Sequence, residues 1–99
     1  MTILRAGAQA RNIVIDGRRT SMRMEAPFWR ALEDIARYEK CSINEICTYI
    51  SQQKEASLSL TSATRVYIAL YYKQAVTPEA RQKVHGNLQT QIRAERFKA

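Results

Sequence analysis

Between Arg19 and Glu25 the side chains alternate: Thr20, Met22 and Met24 fall on one face of an extended backbone, and Arg19, Ser21, Arg23 and Glu25 on the other. This is the pattern of a half-buried strand, and Pro27 ends it two residues later. A strand cannot satisfy its own N–H and C=O groups, so this one needs a neighbour. Two neighbours are available. One is Ile13 to Ile15, joined to it by Asp16-Gly17, a strong hairpin signal. The other is the same strand of a second copy, which across a two-fold axis gives an antiparallel ribbon exposing Arg19, Ser21 and Arg23 from each chain. The pattern leaves both open.

Pro27 also suits the first turn of a helix. From Phe28 the apolar residues Phe28, Ala31, Leu32, Ile35 and Ala36 recur at helical spacing, which predicts a helix to about Lys40. On its other face Arg30 with Asp34 and Glu33 with Arg37 are opposite charges at i,i+4. Ser42-Ile43-Asn44-Glu45 matches a capping box and starts a second helix with Ile43, Ile46, Cys47 and Ile50 as its buried stripe, fading between Ser51 and Ser59. Thr61 and Ser62 offer an N-cap to a third, with Ala63, Val66, Tyr67, Leu70 and Tyr71 inward and an end near Gln74. Thr77-Pro78-Glu79 opens a fourth candidate, with Val84, Leu88 and Ile92 four residues apart and Gly86 counting against it. The division expected is a flexible arm over 1–10, a domain over 11–74 and a helical extension over 75–99.

A chain of 99 residues with 45% hydrophobic content has room for one core. A domain so small buries a modest share of its surface, which points toward oligomerisation. The formal net charge of +7 is uneven: residues 1–23 carry five Arg against Asp16 (+4), residues 24–60 four basic and six acidic side chains (−2), and residues 61–99 seven basic and two acidic (+5). Basic ends of this kind favour polyanions, with DNA, RNA and acidic membrane surfaces all candidates; they also serve solubility alone.

Other classes fit poorly. No run approaches the roughly eighteen apolar residues of a membrane span, and Met1 to Ala10 lacks the hydrophobic stretch of a secretory leader. The expected location is the cytoplasm, where Cys41 and Cys47 stay reduced and act as packing thiols. With those two cysteines and a remote His85, no zinc-ligand spacing can be assembled. One His, no Gly-rich phosphate loop and no carboxylate cluster argue against an enzyme and against a metal or cofactor. Trp29, Tyr38, Tyr49, Tyr67, Tyr71 and Tyr72 sit at helical spacing, as packing residues do, rather than as a stacking platform for bases.

Read in order, Gly17, Arg19-Thr20-Ser21, Arg23, Glu25, Phe28-Trp29, Leu32, Ile35-Ala36 and Ser62-Ala63-x-Arg65-Val66 resemble a group of short bacterial ribbon-helix-helix proteins. The resemblance runs from Gly17 to about Tyr72 and implies the fold of the Arc and methionine repressors: mainly α with a short β-ribbon, as a homodimer. It implies a core shared in the dimer by Met22, Met24, Phe28, Leu32, Ile35, Ile46, Cys47 and Ile50. It also implies double-stranded DNA as partner, with the ribbon in the major groove and Arg19, Ser21 and Arg23 reading bases. The N–H groups around Ser42, Ile43 and Asn44 would hold a backbone phosphate, with Arg18 adding charge. Glu45, in the same first turn, would repel that phosphate unless the capping box turns it away.

Two features depart from the pattern. The hairpin ahead of the reading strand is absent from the minimal repressor fold, so Ile13 to Ile15 would flank the ribbon. Arg18 stands where His is frequent. The function implied is transcriptional regulation at the nucleoid, with further oligomers on adjacent sites. The rival is a dimeric interaction module whose residues 77–99 bind a partner protein, as an antitoxin's tail does. On pattern alone, a solvated sheet face would show the same alternating charge.

Overall fold

A computed structural model of the chain describes residues 7–74. Its order is β1 (Ala8–Ile15), β2 (Arg18–Glu25), α1 (Ala26–Glu39), α2 (Ile43–Gln53) and α3 (Leu60–Gln74). The arm expected over 1–10 lies outside the described residues in its first six positions, as do the fourth helix and the whole of the extension from residue 75. The two strands form one antiparallel sheet.

The connection is the two-residue turn Asp16-Gly17, with φ of 50° and 76°. Positive φ at both positions belongs to the type I′ turn, whose twist matches that of the strands it joins. The register follows from the turn: Ile15 faces Arg18, Asn12 faces Ser21 and Ala8 faces Glu25. Of the two neighbours the alternation left open, β2 is paired inside its own chain, along its whole length. The strand β1 also reaches back to Ala8, three residues into the expected arm, because Glu25, Met24 and Arg23 extend the ladder opposite it.

Residues facing each other in an antiparallel pair share a side of the sheet. Ile13, Met22 and Met24 face inward and are buried against Trp29, Leu32, Ile35, Ile46, Cys47, Ile50, Ala63, Ile68 and Tyr71. α2 packs chiefly on β1, while α1 and α3 each meet β2. The residues expected at a core shared by two subunits are therefore covered within one chain: Met22, Met24, Leu32, Ile35, Ile46, Cys47 and Ile50 are buried and Phe28 is half-buried. Strand β1 covers one edge of β2, and the other edge of β2 carries no strand among the described residues.

Trp29 has no solvent exposure, and its Nε1 donates to the carbonyl of Gln9 at 2.9 Å, fixing the start of β1 to α1. Burial pushes the Cys47 thiol up to about 12, as suits a packing residue. Tyr71 donates to the buried Glu39 carboxylate at 2.8 Å.

The third helix differs in detail from its expected form. Its cap is Ser59, whose Oγ accepts from the Ser62 N–H at 3.1 Å. The inward residues are Ala63, Thr64, Ile68 and Tyr71, whereas Val66 is 49% and Leu70 46% exposed. Thr64 can take an inward place because its hydroxyl donates back to the Leu60 carbonyl at 2.8 Å. On α1 the ion pairs found are Arg37 with Asp34, one turn apart at 3.2 Å, and Glu33 with Arg11 of β1 at 3.4 Å, in place of the two i,i+4 pairs.

Replacing Trp29 by Ala should lower the unfolding free energy by about 3–5 kcal/mol, the range for emptying a large aromatic site. The midpoint of urea unfolding should fall with little change in slope; a loss below about 1 kcal/mol would show that the indole does not hold the hairpin to α1.

Candidate nucleic-acid interface

The outer face of the hairpin carries Arg19, Ser21 and Arg23 of β2, all exposed, opposite Val14, Asn12 and Ala10 of β1. Its inner face is the Met22, Met24 and Ile13 side of the core, so burial of the apolar residues forces the arginines outward. The three side chains expected to read bases thus share one open face. Arg18 lies one residue off in parity. It faces Ile15 and lines a hollow with Ile15, Asp16, Arg19, Thr20, Ser51 and Leu60 at the hairpin tip.

At the far end of the hairpin Glu25 is tied to α3. Arg65 donates to its Oε1 from Nη2 at 2.7 Å and from Nε at 3.2 Å, and the same guanidinium lies 5.6 Å from the Phe28 ring centre. These bonds, followed by one from Glu25's own backbone N–H, hold its carboxyl below the ordinary 4.5. A carboxylate on the basic face is thereby matched by a cation. Arg11 is also occupied, 4.7 Å from the Trp29 ring centre and paired with Glu33.

Beside the hairpin stands the N-terminus of α2, placed by a three-residue turn. α1 ends at Lys40, which adopts the left-handed conformation with φ 54°. Cys41 N–H then donates to the Ala36 carbonyl at 3.0 Å and Lys40 N–H to that of Arg37 at 3.3 Å, the two bonds of a Schellman motif. Ser42 starts α2 at once. Its Oγ accepts from the Glu45 N–H at 3.0 Å, and the Glu45 carboxylate accepts from the Ser42 N–H at 2.9 Å.

The closed capping box has two consequences. The Glu45 carboxylate is turned back onto Ser42, the arrangement that the approach of a phosphate would require. The Ser42 N–H is consumed by that contact, so of the three groups expected to hold a phosphate only the N–H groups of Ile43 and Asn44 stand outside the box. The Asn44 side chain has a different task. Its Oδ1 accepts from the Val14 N–H at 3.0 Å and ties the helix terminus to the free edge of β1.

Sequence reading missed Asn12 on the open face, the Asn44 tie and the Glu25–Arg65 pair. Asn12 was countable from the Asp-Gly turn once both strands were carried outward from it. The other two contacts join residues 30 and 40 positions apart, and no local pattern marks them. Among the described residues no helix is long and apolar enough to cross a membrane, and no group of three His, Cys, Asp or Glu side chains could hold a metal ion.

The model of the ribbon-helix-helix domain family matches residues 8–72. Domains of that kind are in general DNA-binding regulators without enzymatic activity, and they typically bind DNA as dimers. Comparison with curated proteins and with solved structures gave no match.

Replacing Asn44 by Ala should release the Val14 amide, whose hydrogen exchange should quicken about fivefold, the equivalent of about 1 kcal/mol, while Ile46 stays protected; unchanged exchange at Val14 would remove the tie. Because the Glu25 carboxyl is depressed in the fold, its contribution is complete above its ordinary 4.5 and is lost as pH falls through the lower folded value. The Tm difference between the wild type and Glu25→Gln should therefore hold steady from neutral pH to just above 4.5, shrink below that and vanish under the lower folded value. A difference that widens in acid would contradict the pairing.

Proposed function

We propose, since the chain belongs to the ribbon-helix-helix family, that it binds double-stranded DNA sequence-specifically, as a transcriptional regulator of the repressor type, with the outer face of the β1–β2 hairpin in the major groove. The observation that carries this reading is the division of the hairpin into a side that buries Ile13, Met22 and Met24 and an exposed side bearing Arg19, Ser21 and Arg23. A major groove about 12 Å wide admits a two-stranded ribbon. Arg19 and Arg23 each offer paired donors to guanine O6 and N7, and Ser21 between them gives or accepts one bond with any base.

The spacing supports the same reading. At about 3.4 Å of rise per residue, the two arginines stand about 14 Å apart, close to four base-pair steps. The N–H groups of Ile43 and Asn44, at the positive end of α2, hold a backbone phosphate at the edge of the groove and set the register of the hairpin on the duplex. Arg18 adds charge at the tip.

Two chains act together as a homodimer on inverted half-sites, at the nucleoid of the cytoplasm. Each chain brings a ribbon that is already two-stranded. The other edge of β2 is open, and there the same strand of a second copy pairs across the two-fold axis.

Arg23→Ala should relax preference at one base position by about 1–3 kcal/mol while leaving binding to scrambled duplex nearly unchanged. Gel shifts on a selected and a scrambled duplex measure both. Equal losses on the two, or none on either, would show that this face does not read sequence.

A further inference from the structure

We propose that the apolar groove between α2 and α3 holds a segment of this same chain, residues 78–95, laid back antiparallel along α3 as a helix. The groove is lined by Tyr49 of α2, Leu58 of the connection, and Val66, Tyr67 and Leu70 of α3. Val66 and Leu70 are about half exposed, and the rings of Tyr49 and Tyr67 join the two walls edge to face, with centres 6.3 Å apart. Neither strand contributes a residue to this lining. The groove therefore does not depend on what pairs with the open edge of β2, and the inference stands independently of the DNA-binding reading.

The size of the groove selects its occupant. Its volume of about 250 Å³ is below the roughly 300–1,000 Å³ of sites that enclose small molecules, so it suits a row of side chains laid in from one side. Such a row follows in the sequence. Val84, Leu88 and Ile92 recur every four residues, the stripe of an amphipathic helix, in the stretch that continues directly from α3. Gly86 lies off that stripe and weakens the helix in isolation, but most helical stability in proteins comes from packing against a surface.

Lengths and charges agree with the fold-back. α3 ends at Gln74, and Ala75-Val76-Thr77 is a link within the two to five or so residues of an αα-hairpin, with Pro78 suited to the first turn beyond it. At about 1.5 Å per residue, Gln74 back to Leu60 covers about 21 Å, and Pro78 on to Ile92 covers the same distance. With Pro78 level with Gln74, Val84 comes level with Tyr67 and Leu70, Leu88 with Val66, and Ile92 with Leu60 beside Leu58. Glu95 then reaches the end of the groove where Lys54 stands, which sets opposite charges together. A tether this short holds the segment at an effective concentration on the order of millimolar, which favours it over the same segment of another copy. A segment held in this way must be released before it can bind a partner protein.

The test is methyl NMR on the full-length chain. The methyl groups of Leu88 and Ile92 should show nuclear Overhauser contacts to those of Val66, Leu70 and Leu58, and these should be missing from an isotope-filtered spectrum of an equal mixture of labelled and unlabelled chains, which detects only contacts between copies. Leu88→Asp should abolish them and quicken hydrogen exchange at the amides of residues 82–92 by roughly ten- to a hundredfold, the scale of one buried leucine, while the core amides of Met22 and Ile46 keep their protection. Leu70→Asp, at a side chain already half in solvent, should release the segment from the other side of the contact. Contacts that survive the isotope filter would put another copy's segment in the groove and overturn the inference. So would a wild type in which residues 84–92 make no contact with the groove, or amides of 82–92 whose exchange neither variant alters.

Discussion

The antiparallel pairing of Arg18–Glu25 with Ala8–Ile15 decides what the rest of the domain presents and hides. Alternation along a strand has a period of two, so a slip of one residue would carry Arg19, Ser21 and Arg23 into the core and put Met22 and Met24 in water. Three contacts hold the register. The type I′ turn at Asp16-Gly17 sets it at the tip, the Trp29 indole grips the Gln9 carbonyl at the other end, and Asn44 holds the Val14 N–H in between. Each joins the hairpin to a different constraint: local backbone geometry, α1 and α2.

The same pairing explains why α2 begins where it does. β1 would otherwise leave its outer edge without partners, and an open edge invites association with other strands. The N-terminus of α2 is brought there by Lys40 in the left-handed conformation, with Schellman bonds on one side and the capping box on the other. A longer connection would leave the position of that terminus loose. Three residues between two caps fix it, so any anion held at Ile43 and Asn44 is held at a set distance from the outer face of the ribbon.

Much of the fold was legible because its signals are local. Alternation over Arg19 to Glu25, Pro27 at the start of α1, Ser42 with Glu45, and Asp16-Gly17 each depend on neighbours within four residues, and each stands in the structure where periodicity placed it. What was illegible is the choice of partner for β2. A strand next to a hairpin turn and a strand next to its own symmetry copy have the same sequence, and it is the packing of β1 on α2 that holds β1 at one edge of β2. The third helix was misread at Val66 and Leu70 for a related reason. Hydrophobicity marks a residue as able to be buried, whereas Thr64 is buried because its hydroxyl finds the Leu60 carbonyl, a contact no hydropathy pattern records. On the open face, Arg19, Ser21 and Arg23 were readable from one strand alone, while Asn12 required both strands in register.

Charge makes the point more sharply. The formal excess of +7 suggests a surface able to hold polyanions broadly. Within residues 7–74 three of the ten cations are held in ion pairs: Arg11 lies on Trp29 and pairs with Glu33, Arg37 pairs with Asp34, and Arg65 pairs with Glu25. Such half-exposed pairs contribute little to stability. Their effect is to withdraw three cations from general use, while Arg19 and Arg23 stand exposed on one face of fixed backbone register. Steering of a polyanion needs only net charge, but discrimination between bases needs donors and acceptors held at fixed spacing. A face set by backbone register supplies the fixed spacing that the proposed base reading requires.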